Sequence, residues 1–143
     1  MNAPNPDFAD AVRAVVLSLP AAAHLGFGFG ELTPGTAELV LSVRPEHTQH
    51  DGYVAGSVLG ALADFAGGSA AGTLLPPGWV SMTSAYTVSL VAPAKGERIV
   101  ARGRVLHPGR STSVAAADVL AVSDGTETLC ATALVTMRNI KIG

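Results

Sequence analysis

One carboxylate stands inside the longest apolar stretch of this chain, residues 54–75, and it is Asp64. Its neighbours three and four positions away along a helix are Gly60, Ala61, Gly67 and Gly68. None of these can pair with a carboxylate, and a charged group in apolar surroundings is costly unless it is paired. Asp64 therefore either bonds to a neighbouring strand or a subunit interface, or it belongs to a functional site.

The start of the same helix is a second place where chemistry is possible. The first N–H groups of a helix have no intrahelical acceptor and lie at the positive end of its dipole. If Gly56 and Ser57 form the first turn, an oxyanion can develop there, and Gly56 puts no side chain between a substrate carbonyl and its N–H. The alternative is that Gly56 only begins the helix, and that the other small residues allow close packing against a sheet or close approach of a ligand.

The elements that must position these residues are predicted from periodicity and turn composition. An amphipathic helix over residues 7–19, ended by Pro20, covers one end of the structure. A hairpin and a polar loop precede the long helix, which runs to Leu74, and four extended runs follow it. The strands of the hairpin are residues 27–32 and 37–44, the loop is 45–53, and the later strands lie near 79–91, 97–107, 111–122 and 127–138.

The long helix decides the expected architecture. A helix that is apolar nearly all round must be enclosed, and the simplest enclosure is one antiparallel sheet that curls around it. Tight-turn compositions between the last four strands predict an antiparallel meander. At 143 residues, the chain is expected to form a single domain over residues 1–143.

Composition and charge restrict the partners. Charged residues make up 14% of the chain, against about 25% in an average globular protein, so part of the surface is expected to be covered by a second subunit. A net charge of −2 without a run of Lys or Arg argues against nucleic acid and anionic membranes as partners. Residues 54–75 are long enough to span a bilayer, but Asp64 at their centre favours a buried helix of a soluble protein.

Cysteine usage and the N-terminus point to a reducing compartment. The single cysteine, Cys130, cannot form an internal disulfide or a zinc cage, and it is expected to be a small core residue. No signal peptide is recognisable at the N-terminus. The expected location is the cytoplasm.

Around the long helix the sequence resembles a known family. The pattern reads Gln49-x-x-Gly52-x-x-Ala55-Gly56-Ser57-x-x-x-x-Leu62-x-Asp64-x-Ala66. It is similar to the signature of the hot-dog-fold acyl-CoA thioesterases of the phenylacetate-degradation (PaaI-like) type, commonly Asn/Gln-x-x-Gly-x-x-His-Gly-Gly-x-x-x-x-Leu-x-Asp-x-Ala. The resemblance continues through residues 83–94 and 109–112. It implies an α+β hot-dog fold, with a curled antiparallel sheet of about six strands around one long helix and a short N-terminal helix.

The resemblance implies a role for four residues in hydrolysis of an acyl-CoA thioester. The Gly56 N–H polarises the thioester carbonyl, and Asp64 is the catalytic carboxylate, either as general base on water or as nucleophile. Gln49 matches an amide that helps position water or the thioester. Thr83 matches a hydroxyl that orients the carboxylate or the attacking water. No metal and no cofactor are expected, apart from the CoA of the substrate and product.

The spacing of two of these residues predicts a shared site. Gly56 precedes Asp64 by eight residues, which is about 12 Å along a helix and too far for both to touch one thioester carbon. If both act, they come from different subunits. This agrees with the family's homodimer, in which two helices lie antiparallel across the active sites, and a homotetramer as a dimer of dimers is the further expectation.

The nucleotide end of CoA has weaker candidates. Arg110, Ser111 and Thr112 follow a turn and can hold a CoA phosphate or the pantetheine, or they are simply an exposed turn. The same two interpretations apply to Lys95. The four histidines show no metal-ligand spacing and are expected to be structural or solvated.

Two departures from the family pattern keep other functions open. Ala55 stands where the family has His, and Ser57 where it has a second Gly, and both flank the oxyanion site. One alternative is therefore a hot-dog protein that binds acyl-CoA or another apolar ligand without turnover. Another is a dehydratase or hydratase, but that chemistry typically uses a His on or near the helix, and His50 lies in the loop before it.

Overall fold

The computed structural model describes all 143 residues and contains three α-helices. Their bounds are α1 Phe8–Leu17, α2 Pro20–Leu25 and α3 Gly56–Gly72. The N-terminal helix ends at Leu17, two residues before the predicted end, and Pro20 begins α2, which the sequence did not predict. Proline is tolerated there because the first residue of a helix needs no N–H donor.

Six strands follow the predicted runs within a few residues. They are β1 Gly28–Thr33, β2 Thr36–Ser42, β3 Trp79–Leu90, β4 Arg98–Pro108, β5 Thr112–Ser123 and β6 Thr126–Lys141. The loop before α3 contains two short 3-10 turns, over Pro45–His47 and His50–Gly52. None of the helices combines the length and the apolar composition that crossing a membrane requires.

The strands form one antiparallel sheet in the order β1-β2-β4-β5-β6-β3. The predicted meander of four strands is therefore wrong for β3, which pairs with β6 at the far edge and not with β4. Residues 91–97 look like a tight turn but cross the ends of two strands. The Val91 N–H donates to the Cys130 carbonyl at 2.8 Å, and the Glu97 N–H donates to the Val122 carbonyl at 3.1 Å. Only β4, β5 and β6 form a meander.

The sheet curls around α3, as the fold class predicted. Small residues on both partners permit close contact: a Cβ at Gly67 would lie 2.8 Å from Val135 Cγ2, and a Cβ at Gly103 would collide with the Ala66 carbonyl oxygen. Cys130 is fully buried in the core. The packing interpretation of the small residues on α3 therefore holds for Gly67.

The Gly103 contact predicts a large effect on stability. Gly103→Ala should lower the free energy of unfolding by about 1 to 3 kcal/mol, because the new methyl group meets a helix carbonyl that cannot rotate away. The matched control is Gly28→Ala, also within a strand, whose Cβ would have no heavy atom within 4 Å. Chemical denaturation of both variants checks the prediction, and equal stabilities would contradict it.

Charged pairs lie on the outer face of the sheet, away from α3. Arg102 bonds to both carboxylate oxygens of Glu127, at 2.7 and 3.0 Å, and to Glu38 at 2.9 Å. The hydrogen bond from Arg102 holds the pKa of the Glu127 carboxyl below its usual value. Arg104 forms a further pair with Asp118 at 3.3 Å.

Candidate active site

Asp64 has a hydrogen-bonding partner on the neighbouring edge strand. The Thr83 hydroxyl donates to Asp64 Oδ1 at 2.6 Å, and no Lys or Arg pairs with the carboxylate. Asp64 is half-buried, so its second oxygen is available to a bound molecule. This is the bond to a neighbouring strand that the sequence allowed, and it also fixes the direction of a potential base.

A bulge in β3 determines which side chains face α3. The pairing with β6 shifts at Ser84, so that Thr83 lies opposite Met137 and Tyr86 lies opposite Val135, two buried residues of the concave face. Residues opposite each other on adjacent strands share a face of the sheet. Without the bulge, simple alternation would place Thr83 and Tyr86 on opposite faces. With it, both face the helix.

One face of α3 runs along β3. A Cβ at Gly56 would lie 2.7 Å from Leu90 Cδ1, and one at Gly60 would lie 4.0 Å from the Tyr86 hydroxyl. The helix face therefore presents Gly56, Gly60 and Asp64 in succession to the edge strand. Tyr86 lies between the two predicted site residues, and the sequence did not identify it because its orientation depends on the bulge.

The start of α3 leaves its first N–H groups open. Ala55 is extended, with φ −62° and ψ 139°, and no side chain caps the helix. Gly56 is the first helical residue and is half-buried, while Ser57 is exposed. An uncapped helix start has backbone donors free for an anionic or strongly polarised oxygen.

Two other predicted residues lie at this end of the molecule. Gln49 is exposed, and its backbone N–H donates to the Tyr53 carbonyl at 2.7 Å. Lys95 donates to the Asp51 carbonyl at 2.8 Å, and its Nζ lies 5.0 Å from the centre of the Tyr53 ring. Gln49 and Lys95 thus lie at the end of the molecule where Gly56 begins α3, and not at the end near Asp64.

The turn between β4 and β5 lies at the opposite end. The Asn139 side-chain amide donates to the carbonyls of Gly109 and Arg110, at 2.9 and 3.3 Å. Asn139 also accepts from the Ser81 hydroxyl at 3.0 Å, and Ser81 is two residues from Thr83. Arg110, together with Ser111 and Thr112, therefore lies at the Asp64 end. Within one chain, the predicted site residues form two separate groups.

An apolar cavity of about 400 Å³ adjoins the Asp64 group. It lies between α1, α3 and the start of β3, and both Asp64 and Thr83 line it. The apolar face of α1 supplies one wall, with Val12, Val15 and Val16, and Leu19, between α1 and α2, also lines the cavity. The N-terminal helix covers one end of the structure as expected, but its contribution to a cavity beside Asp64 was not predicted.

Among the histidines, His47 is buried and structural. Its Nδ1 accepts from the Arg44 N–H at 3.0 Å, so Nε2 carries the proton and donates to the Leu25 carbonyl at 2.8 Å. This links the loop before α3 to the end of α2. No three His, Cys, Asp or Glu side chains come together as metal ligands would.

Comparison with known proteins identifies the class. The sequence model of the thioesterase superfamily matches residues 51–128. A thioesterase family protein from Silicibacter pomeroyi is 32% identical, covers 94% of this chain and 98% of its own, and superposes with a TM-score of 0.90. The chain belongs to the thioesterase superfamily.

More distant structures agree with this class. A phenylacetic acid degradation-related protein of Ralstonia eutropha is 25% identical, with 92% of this chain and 98% of that chain covered and a TM-score of 0.77. The PaaI protein of E. coli is 20% identical, covers 99% and 100%, and shares the fold with a TM-score of 0.83. No curated protein matches in a sequence comparison. The predicted hot-dog fold and the PaaI-like resemblance are confirmed.

Proposed function

We propose that this thioesterase-type hot-dog protein hydrolyses acyl-CoA thioesters to a carboxylic acid and CoA. The observation that carries the proposal is the Asp64 carboxylate, oriented by the Thr83 hydroxyl and lining an apolar cavity beside α3. The hydrogen bond occupies Oδ1 and leaves Oδ2 for the reaction. An acyl group in the cavity would place its thioester carbon near that oxygen.

The proposed chemistry divides between Asp64 and the start of α3. As general base, Asp64 takes a proton from water while the water oxygen attacks the thioester carbon. The resulting oxyanion accepts a hydrogen bond from the Gly56 N–H, and Gln49 at the same end helps position water or the thioester. Collapse of the intermediate expels the CoA thiolate, which receives the proton held by Asp64. As nucleophile, Asp64 would instead attack the thioester carbon and expel the CoA thiolate, and water would then hydrolyse the resulting acyl anhydride to the acid and the free Asp64 carboxylate.

Both roles at one thioester require two subunits. The edge strand β3 has no partner on its outer side, and several of its apolar side chains are exposed: Met82 by 58%, Leu90 by 55% and Tyr86 by 47%. A long unpaired apolar edge favours pairing with another chain. We therefore place a homodimer interface on β3.

A two-fold axis at this edge would bring the site residues near Gly56 of one subunit together with those near Asp64 of the other. Gly60 lies midway between Gly56 and Asp64 along α3 and faces Tyr86 and Val88 of β3. With the axis near Gly60, Gly56 of one subunit would lie opposite Asp64 of the other. Lys95 of one subunit and Arg110 of the other would then approach the same site, where we assign them, with Ser111 and Thr112, to the phosphates and pantetheine of CoA.

Two further assignments belong to the proposal. The exposed side chains of Leu106 and Leu134 on β4 and β6 favour association of two dimers into a tetramer. We also assign the protein to the cytoplasm, in agreement with its single free cysteine, Cys130. Nucleic acid and membranes are not among the proposed partners.

Thiol release from acyl-CoA tests the proposed function. Thioesters from acetyl-CoA to palmitoyl-CoA, with phenylacetyl-CoA and benzoyl-CoA, should include at least one that is turned over, and matching acyl-pantetheines should show a higher KM. The competing function is acyl-CoA binding without turnover, which the departures at Ala55 and Ser57 favour. Saturable binding in calorimetry without thiol release would replace hydrolysis by that function.

A further inference from the structure

Gly68 is a glycine inside α3 that neither the backbone conformation nor the packing of the protein requires. It lies within the helix and does not have a positive φ. A Cβ at this position would meet only Met137 Sδ, at the ordinary van der Waals distance of 3.9 Å. Glycine in a helix interior is less favourable than alanine, because it loses more conformational freedom on folding. Gly68 therefore weakens the helix without improving a contact within the chain.

The two neighbouring glycines of α3 show the contrast. A Cβ at Gly67 would lie 2.8 Å from Val135 Cγ2, so a side chain there would collide with the sheet. A Cβ at Gly72 would lie 3.3 Å from Val12 Cγ2, where α1 packs closely on α3. Both glycines permit contacts between elements, whereas the space in front of Gly68 stays open.

The open space at Gly68 belongs to the cavity beside Asp64. Gly68 is half-buried and lines this cavity. It follows Asp64 by four residues, so the two share one helix face and lie about 6 Å apart along the axis. Side chains of a helix tilt toward its N-terminus, so a side chain at position 68 would extend toward Asp64. It would fill the part of the cavity next to the carboxylate.

The walls around this space suit a hydrocarbon chain. Phe65, Val16 and Trp79 line the cavity from α3, α1 and the start of β3. Ser69 also belongs to the lining, but its Oγ is inaccessible and makes no hydrogen bond, so it offers none to a bound molecule. The volume of about 400 Å³ lies in the range of pockets that hold small ligands.

The helix also sets the length of chain that the cavity can hold. Gly72 follows Asp64 by eight residues, a rise of about 12 Å, and there the contact with Val12 closes the gap between α3 and α1. An extended chain advances by about 1.2 Å per bond, so this distance corresponds to roughly ten bonds. Gly68 lies halfway along this path.

We propose that Gly68 is a specificity-determining residue, whose missing side chain admits acyl groups of about six to ten carbons that extend from Asp64 along α3 toward Val12. This inference rests on the proposed thioester hydrolysis and names the substrate class of the same site. Each methylene group that enters an apolar cavity favours binding, and a pocket that is closed to it loses that contribution.

The test compares acetyl-CoA with octanoyl-CoA. We expect wild-type kcat/KM to be at least about tenfold higher for octanoyl-CoA, because the longer chain fills the cavity. Gly68→Leu should lower the octanoyl-CoA value at least about tenfold and leave the acetyl-CoA value within threefold of the wild type, and Gly68→Ala should have a smaller effect of the same kind. A wild type without the octanoyl preference, or a Gly68→Leu variant that keeps it, overturns the proposal.

Stability measurements separate specificity from packing. Gly68→Ala should unfold at a higher temperature than the wild type, because alanine favours the helix and its methyl group meets no close neighbour. The matched control is Gly67→Ala, which adds the same methyl group one position earlier, against Val135. It should unfold at a lower temperature and keep the wild-type ratio of the two kcat/KM values. A lower unfolding temperature for Gly68→Ala would give Gly68 a packing role and contradict the proposal.

Failure of hydrolysis would be distinguishable from failure of this inference. If the wild type releases thiol but Gly68→Leu keeps the octanoyl preference, only the specificity assignment fails. If neither thioester releases thiol, the proposed function fails, and calorimetric Kd values for the same two compounds then test the cavity. A Kd lower for octanoyl-CoA than for acetyl-CoA, in the wild type but not in Gly68→Leu, supports the assignment. Equal Kd values, or no binding of either compound, contradict it.

Discussion

Asp64→Asn is expected to lower kcat for thioester hydrolysis by about 10²- to 10⁴-fold. The amide oxygen of Asn can still accept the hydrogen bond that Thr83 now donates at 2.6 Å, so the side chain should keep its position. What is lost is the proton acceptor or nucleophile. Thiol release at saturating acyl-CoA measures the effect.

Asp51→Asn is the matched control for the loss of one negative charge. Asp51 lies in the exposed loop before α3, and its carboxylate makes no hydrogen bond, although its carbonyl accepts from Lys95. This variant should turn over thioesters like the wild type. Turnover by Asp64→Asn within threefold of the wild type, with both variants folded, would refute the catalytic assignment and favour the binding function.

Gly56→Pro is expected to inactivate the enzyme to a similar degree by removing the proposed oxyanion donor. The helix should tolerate the change, because proline is favoured at the first helical position and Ala55 already has the extended conformation preferred before proline. Leu90 Cδ1 must move slightly, since it lies 2.7 Å from the new Cβ position. The matched variant Gly56→Ala adds that Cβ but keeps the N–H, so the difference in kcat between the two measures the donor.

Mixing the two inactive variants tests the shared site. In a heterodimer of Gly56→Pro and Asp64→Asn, one site combines an intact Gly56 with an intact Asp64, and the other carries both lesions. Half of the dimers in a random mixture are mixed, so about a quarter of wild-type activity is the expected ceiling. Measuring thiol release during subunit exchange gives the answer. No recovery, with folding and exchange demonstrated, would place the site within one subunit.

The sequence by itself determined the strand boundaries within a few residues, two of the three helices and the membership of the fold class. Alternation of apolar residues and turn compositions are local properties, so the strands appeared within a few residues of their predicted ends. The spacing from Gly56 to Asp64 is also local, because a helix fixes it at about 12 Å. For this reason the predicted site residues could be placed relative to one another before any contact was known.

Only the tertiary structure decided how β3 is used. The segment after it has the composition of a hairpin turn, but its backbone bonds to the ends of β6 and β5, and β3 becomes an edge. The bulge at Ser84 then turns both Thr83 and Tyr86 toward α3. Pairing and register depend on strands that lie 40 or more residues away in the chain, and no local pattern encodes them.

The cavity could not be predicted from the sequence either. Its walls come from α1, α3 and β3, and the isolation of the Ser69 hydroxyl is visible only when every neighbouring donor and acceptor is in place. In the sequence, a serine on an apolar helix cannot be distinguished in role from the other small residues. The missing partner of its hydroxyl is a property of the packed structure and not of the residue's position in the chain.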